Sequence, residues 1–345
     1  MMKALVKLES GDGHLELRDV ERPKIAHDEV LIKVKACGIC GTDIHIYHDE
    51  FMNDPPVILG HEFSGEIVEV GSKVKDWSEG DRVSSELHTG ACRKCYLCRT
   101  GRPDICSHKR PLGARIDGAF AEYIKVPSWL LHTLPDNISF EDGALGEPVA
   151  ISVHALLEQG KIDVGDFVLI SGAGTVGLLA AQTAKMAGAA TVIITDFFSK
   201  LPVRLNAARE LGIDHIVDIG DINPEEMVID LTGGVGADVV VDASGAETAI
   251  AGAFRIVKRS GQIIAIGLTQ ADKISIPWNE GILKEIKIVL PFSSVYTSWE
   301  KAFELVSQGK IRIKPIVTHN FPLEDWNEGF QLMERKEAIK ALLKP

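Results

Sequence analysis

Two rhythms of apolar residues divide the chain. From residue 1 to about 150 the apolar positions come in short alternating runs, such as 29–34 (Glu-Val-Leu-Ile-Lys-Val) and 65–70 (Gly-Glu-Ile-Val-Glu-Val). Alternation with a period of two predicts half-buried β-strands. Pro55, Pro56, Gly71, Gly80 and Gly118 punctuate these runs as turns do. From about 151 to 291 the pattern changes to continuous β-branched runs at 167–170, 191–194, 238–241 and 262–266. Helical stretches separate them, notably 176–186 and 246–257. Strands buried on both faces and alternating with helices predict a parallel α/β sheet, which the runs at 215–218 and 286–290 bring to six strands. After Pro291, a helix near 299–307 and a tail rich in Lys and Pro are expected to return to the first domain. The expected organisation is therefore 1–150, 151–291 and 292–345, with no internal repeat or low-complexity segment.

The length of 345 residues suits two domains, and 45% hydrophobic with 25% charged residues is the composition of a globular protein. The formal charge of −12, from 37 basic and 49 acidic residues, argues against nucleic acid or an anionic membrane as partner. No stretch approaches the ~18 uninterrupted apolar residues of a membrane span. The first residues, Met-Met-Lys-Ala-Leu-Val-Lys, fit a β-strand and lack the apolar core of a signal peptide, so the cytoplasm is the expected location.

All six cysteines fall between Cys37 and Cys106. Cytosolic thiols stay reduced, so this clustering favours metal ligation over disulfides. Cys92, Cys95, Cys98 and Cys106 follow a C-x2-C-x2-C-x7-C spacing. The two-residue gaps let neighbouring thiolates face one metal, and four sulfurs close a tetrahedron, which predicts a structural zinc in a lobe at about 88–110.

Only Cys37 and Cys40 remain for a second site. It can hardly use both beside a histidine, so oxygen must supply the third protein ligand. Cys40, His61 and either Glu62 or Glu147 are the candidate donors, a set that leaves a position open for a substrate oxygen. Cys37 is expected to be a small buried residue.

Gly60-His61-Glu62-Phe63-Ser64-Gly65, followed by Gly71 and Val74, resembles the zinc signature of the medium-chain alcohol and polyol dehydrogenases. The resemblance extends over the chain, since lobe, glycine fingerprint and C-terminal return occur in order. It implies a β-rich GroES-like catalytic domain and a Rossmann doubly wound sheet. It makes Cys40 and His61 catalytic zinc ligands, Thr42 the hydroxyl that takes the alcohol proton, His45 the outer histidine of that relay, and Asp43 the acid that orients His61. Glu147-Pro148 resembles the polyol branch, in which this glutamate lies beside the metal and Glu62 ligates it. Two zinc ions per chain are implied, one in each site.

Gly172-Ala173-Gly174-Thr175-Val176-Gly177 stands between a predicted strand and a predicted helix, the context in which a G-x-G-x-x-G pattern binds a dinucleotide. The glycines admit the pyrophosphate, and the helix N-terminus stabilises its charge. Asp196, ending the next strand, is placed to accept the ribose 2′-hydroxyl of NAD and to repel the 2′-phosphate of NADP. Arg204 lies three residues further along than in similar family members, and with Lys200 offers cations that a 2′-phosphate would use; NAD is the preferred expectation. Ser244, Ile266, Leu268 and Phe292 are placed along the cofactor by the same resemblance.

Ser293 and Ser294 replace the Arg-Tyr pair of many sorbitol dehydrogenases, which leaves a differently shaped polyol as the expected substrate. Tyr47, Phe120 and Trp278 are candidates for the pocket wall, packing being the commoner use of such residues. His45-Ile46-Tyr47 and the 85–88 region also look like L-threonine dehydrogenase, and a short-diol enzyme is a further alternative. A zinc-stabilised NAD(H)-binding sensor without turnover is the alternative from another class, disfavoured because it has no use for a proton exit. The family resemblance implies a dimer or tetramer joined through the last strand of the nucleotide domain.

Overall fold

The computed structural model describes all 345 residues. The chain divides into two units, Met1–Ala150 with Ser294–Gln308 and Val317–Pro345, and Ile151–Ser293 with Gly309–Ile316.

The first unit is β-rich. Its larger sheet runs in the order Val317–Pro322, Lys340–Lys344, Glu29–Gly38, Glu62–Val70, Arg82–Ser85 and Leu131–Thr133, with Tyr123–Pro127 also paired to Glu29–Gly38. A smaller sheet orders Leu15–Val20, Met2–Lys7 and Val57–Ile58. The core joins Val30, Ile32, Val34, Phe63, Ile67, Val83, Ile124 and Leu343. Strand Glu29–Gly38 is less half-sided than its alternation predicts, because Val30, Leu31 and Ile32 are all fully buried. Helix Phe140–Ala144 packs against this strand and against Glu62–Val70, and covers the face expected to be wet.

The second unit is a six-stranded parallel sheet in the order His215–Asp218, Thr191–Asp196, Phe167–Ser171, Ala237–Asp242, Val257–Ala265 and Lys287–Val289. The strand order reverses beside Phe167–Ser171, the position at which open α/β sheets bind ligands. Val168, Leu169 and Ile170 are buried on both faces, which explains their unbroken apolar run. Helices Thr175–Ala187 and Glu247–Ile256 occupy the predicted helical stretches. The strand expected at 262–266 begins at Val257 instead, directly after the helix.

The return of 292–345 to the first unit is interrupted by Gly309–Ile316. Those residues belong to the second unit because Gln182 clamps Arg312: Gln182 Oε1 accepts from the Arg312 backbone N–H at 2.7 Å and Nε2 donates to its carbonyl at 3.1 Å. Ile311 and Ile313 are buried there. No helix is long and apolar enough to cross a membrane.

Candidate metal and nucleotide sites

The metal site is assembled from two turns of chain. Helix Gly41–Tyr47 begins immediately after Cys40, which places the thiol at its N-terminus and puts Thr42 and His45 three apart on one face. Gly60 has φ +89°, and a Cβ there would lie 2.6 Å from the Phe120 ring, so only glycine makes the bend that presents His61. Asp43, fully buried, ties the two turns together. Its Oδ2 accepts from the Cys40 backbone N–H at 2.8 Å, and its Oδ1 accepts from Gly60 N–H at 3.3 Å and faces His61 Nδ1 at 3.5 Å. With Nδ1 turned to Asp43, Nε2 is the nitrogen left for a metal.

Donor atoms of Cys40, His61 and Glu62 all lie within 4.8 Å of one another. Sulfur, imidazole and carboxylate at that separation fit zinc. The local field agrees: burial works against a charged His61, yet Asp43 and Cys40 outweigh it and hold the ring well above the ordinary histidine value. The cluster thus favours positive charge at this point. Thr42 Oγ1 is 3.8 Å from Cys40 Sγ, which puts a hydroxyl at the edge of the same cluster.

Two further buried charges complete the surroundings. Lys340 Nζ donates to both oxygens of Glu62, at 2.6 and 2.8 Å, and to the Ile39 carbonyl at 2.9 Å. Burial opposes the Lys340 charge, but Glu62 and Cys40 more than offset this and its pKa is raised. Glu147, in the first turn of helix Gly146–Val153, is pushed up to about 7, chiefly by burial; His61 pulls it down and the Glu62 charge adds to the rise.

Cys92, Cys95, Cys98 and Cys106 converge with all four sulfurs within 4.8 Å, and none is in a disulfide. Backbone N–H groups of Cys95 and Cys98 point at the sulfurs of Cys92 and Cys95, at 3.3 and 3.5 Å. The Cys92 thiol is brought down to about 6, first by the Lys94 and Cys95 N–H groups. Four converging thiols suit a closed structural zinc.

In the second unit, a Cβ on Gly177 would fall 1.8 Å from the Gly172 carbonyl oxygen, so strand end and helix start can approach only as glycines. Asp196 Oδ2 accepts from Ala173 N–H at 2.9 Å and from Arg204 Nη1 at 2.8 Å. Arg204 stands in the first turn of helix Pro202–Glu210, and its Nη2 comes within 4.0 Å of where a Gly174 Cβ would be. Its buried Nε has no hydrogen-bond partner, which leaves a donor beside the nucleotide loop.

Comparison with known proteins accords with this geometry. Residues 26–136 match the model of the alcohol dehydrogenase GroES-like domain, and residues 175–308 that of the zinc-binding dehydrogenases. A sorbitol dehydrogenase of Halalkalibacterium halodurans is 41% identical over 344 residues, covering 100% of this chain and 99% of the relative. The chain belongs to the medium-chain zinc-dependent alcohol and polyol dehydrogenases. An L-threonine 3-dehydrogenase of Bacillus licheniformis is 37% identical, with 100% of this chain and 99% of that protein covered. Among solved structures, a zinc-binding dehydrogenase from Sinorhizobium meliloti bound to NADP superimposes with a TM-score of 0.90 at 32% identity, covering 100% of this chain and 99% of that one.

This dehydrogenase brings Cys40, His61, Glu62 and Asp43 together, and separately the four lobe cysteines. Cys37 is buried in the core, and burial raises its thiol well above the usual value. Ser244 Oγ donates to Asp242 at 2.6 Å beside the glycine loop, while Leu268 and Phe292 are exposed and Ile266 half-buried. Phe120 proves to be a fully buried core residue that supports the Gly60 bend, and Trp278 is exposed on its own unit. Ser294 is committed to packing: its Oγ accepts from Trp299 Nε1 at 3.0 Å and its carbonyl from His88 Nε2 at 2.8 Å.

Two further features have no local signal in the sequence: Lys340 at the metal cluster, and a polar chain in the first unit that runs from buried His88, Glu86 and His132 to the exposed Glu300. His132, stacked on Trp299 at 5.2 Å, places Nε2 3.2 Å from Glu86 and Nδ1 2.6 Å from Glu300. His88 Nε2 lies 3.0 Å from the other Glu86 oxygen. Burial pushes Glu86 up, but the two histidines prevail and hold it below its ordinary value. Glu86 and His88 lie just past strand Arg82–Ser85, and nothing local in the sequence pairs them with His132.

Proposed function

We propose that this enzyme oxidises a secondary alcohol of a polyol to the ketose or ketone, with NAD as hydride acceptor, and catalyses the reverse reduction. The observation that carries this is the convergence of Cys40, His61 and Glu62 with the Thr42 hydroxyl at its edge. A zinc ion held by Cys40, His61 and Glu62 would supply Lewis-acid charge that eases deprotonation of the substrate hydroxyl, and a bound nicotinamide would supply the hydride acceptor. Asp43 fixes the His61 ring. Thr42 takes the hydroxyl proton and passes it toward His45. Glu62 is the third protein ligand, being the carboxylate grouped with Cys40 and His61. Glu147, buried and raised to about 7, stands in reserve beside it.

Each chain carries two zinc ions, one at Cys40, His61 and Glu62 and one among the lobe cysteines. Gly172, Gly174, Thr175, Val176 and Gly177 seat the pyrophosphate, and Asp196 receives the adenosine ribose. Arg204 weighs toward NADP, as does the NADP-bound S. meliloti relative. Asp196 outweighs it, because the Arg204 guanidinium is already paired with that carboxylate. Ser244, Ile266, Leu268 and Phe292 flank the nicotinamide half.

Glu147-Pro148 and the higher identity to sorbitol dehydrogenase favour a polyol over L-threonine. A second copy of the chain pairs along the sheet edge Lys287–Val289, where Ile288, Leu290 and Phe292 are exposed beside Ile282 and Leu283 of helix Trp278–Lys284. The resulting dimer or tetramer works in the cytoplasm. A panel of polyols, short diols and L-threonine, offered with NAD or NADP while the reduced cofactor is followed by absorbance, tests substrate and cofactor together. Oxidation of L-threonine alone, or faster turnover with NADP, overturns the corresponding assignment.

A further inference from the structure

The chain doubles back at the end of helix Gly41–Tyr47. Asp49 takes φ +59°, Glu50 N–H donates to the His45 carbonyl at 2.7 Å, and the Glu50 carboxylate meets His45 Nδ1 at 2.9 Å. The reversal is held at several points. Asp49 accepts from Gly11 N–H at 2.9 Å and from Asn53 Nδ2 at 3.0 Å. The buried Lys7 ammonium donates to the carbonyls of Gly13 and Tyr47, at 2.7 and 3.0 Å. Glu50 is thus aimed at the ring by a fixed backbone. His48, the other imidazole of this turn, is occupied elsewhere, between Asp12 at 2.7 Å and Glu334 at 2.6 Å.

A carboxylate only accepts, so the hydrogen in the His45–Glu50 contact belongs to His45 Nδ1. The neutral ring is thereby held as the Nδ1–H form, with the lone pair on Nε2. Free imidazole has no such constraint, and a relay histidine in the other form has no acceptor at Nε2. The side chains of His45 and Glu50 are 37% and 52% exposed, which suits a group that must discharge to water.

We infer that Glu50 is the positioning residue of the proton relay: it fixes the His45 tautomer and ring orientation so that Nε2 can receive the proton released by the substrate hydroxyl. This rests on the proposed alcohol oxidation. In each turnover the hydroxyl proton goes to Thr42 as the Thr42 proton moves on. One proton ends on His45 Nε2 and leaves to solvent, while the hydride and its electron pair go to the nicotinamide. Glu50 holds the Nδ1 hydrogen throughout and neither gains nor loses a proton. An isolated surface ion pair contributes little to stability, so its effect is expected in the chemistry rather than in folding.

The test compares Glu50→Leu and Glu50→Gln with the wild type, all zinc-loaded. Nitrogen-15 NMR of the imidazoles reads which His45 nitrogen carries hydrogen, independently of turnover. The wild type should show the Nδ1–H form, Glu50→Leu a tautomer mixture, and Glu50→Gln, whose amide oxygen still accepts, the wild-type form. The leucine variant should lose about tenfold in kcat with KM nearly unchanged, and glutamine should restore most of that loss. Glu16→Gln, an exposed acid on strand Leu15–Val20, serves as the neutral control. His45 remaining on Nδ1–H in Glu50→Leu, or kcat unchanged once the tautomer is lost, overturns the inference. If the wild type oxidises no alcohol, the proposed function fails while the NMR comparison still decides whether Glu50 sets the ring.

Discussion

Lys340 and Glu62 form a two-pronged ion pair at the metal cluster, with Nζ 2.6 and 2.8 Å from the two carboxylate oxygens and both residues about 2% exposed or less. Glu62 therefore faces the Lys340 ammonium of the C-terminal strand, and under the proposed function would face a zinc ion as a second cation. Lys340→Met leaves the carboxylate buried with a single counter-charge. Without zinc the variant should lose about 3–5 kcal/mol, and with zinc much less. Melting temperatures with and without a chelator check this: the gap between them should widen in the variant.

Cys98→Ser should remove the lobe zinc and leave the other. Metal analysis should fall from two zinc ions per chain to one, matching the two donor clusters. The structural site contributes folding energy, so the variant should melt at lower temperature while its remaining folded fraction still turns over.

Glu86 gives a pH dependence whose sign follows from its environment. Its carboxyl is held below the ordinary 4.5 by His132 and His88 despite burial. The stabilisation is therefore fully present above about pH 5 and is lost as pH falls through the depressed value. Glu86→Gln removes it. The difference in urea midpoint between wild type and variant should be largest near neutrality, equivalent to about 1–3 kcal/mol, and should shrink on acidification below pH 4.5. A difference that grows on acidification would contradict the assignment.

Asp196→Ala removes the carboxylate that holds Arg204 and frees the guanidinium for a 2′-phosphate. The ratio of kcat/KM for NAD over NADP should fall by roughly 10- to 100-fold, as expected for losing one charged hydrogen bond and one repulsion. Steady-state kinetics with both cofactors measures it. An unchanged ratio would place the ribose elsewhere.

The parts legible in sequence were those whose chemistry is local. Cys40 and Asp43 share one helical turn, His61 and Glu62 are adjacent, and the lobe cysteines lie within fifteen residues, so spacing alone restricted their geometry. The six-stranded sheet could be read because strands buried on both faces leave an unbroken apolar run. Lys340 was illegible for the opposite reason. It lies 278 residues from Glu62, and a lysine on a terminal strand looks like an edge charge until the strand beside it is known. The Glu86–His132–Glu300 chain and the Gln182–Arg312 clamp are long-range in the same way. Phe120 shows the converse: packing, the commoner use of such a ring, is where the structure puts it, fully buried against the Gly60 bend.

Asp43 has a consequence for metal exchange at the proposed zinc site. Because one buried carboxylate anchors the backbone of both Cys40 and Gly60, the two turns are tied to each other by protein hydrogen bonds that ask nothing of a metal. Loading then asks little reordering of the polypeptide, so stripping and refilling the centre should be a rapid, reversible exchange on an intact scaffold.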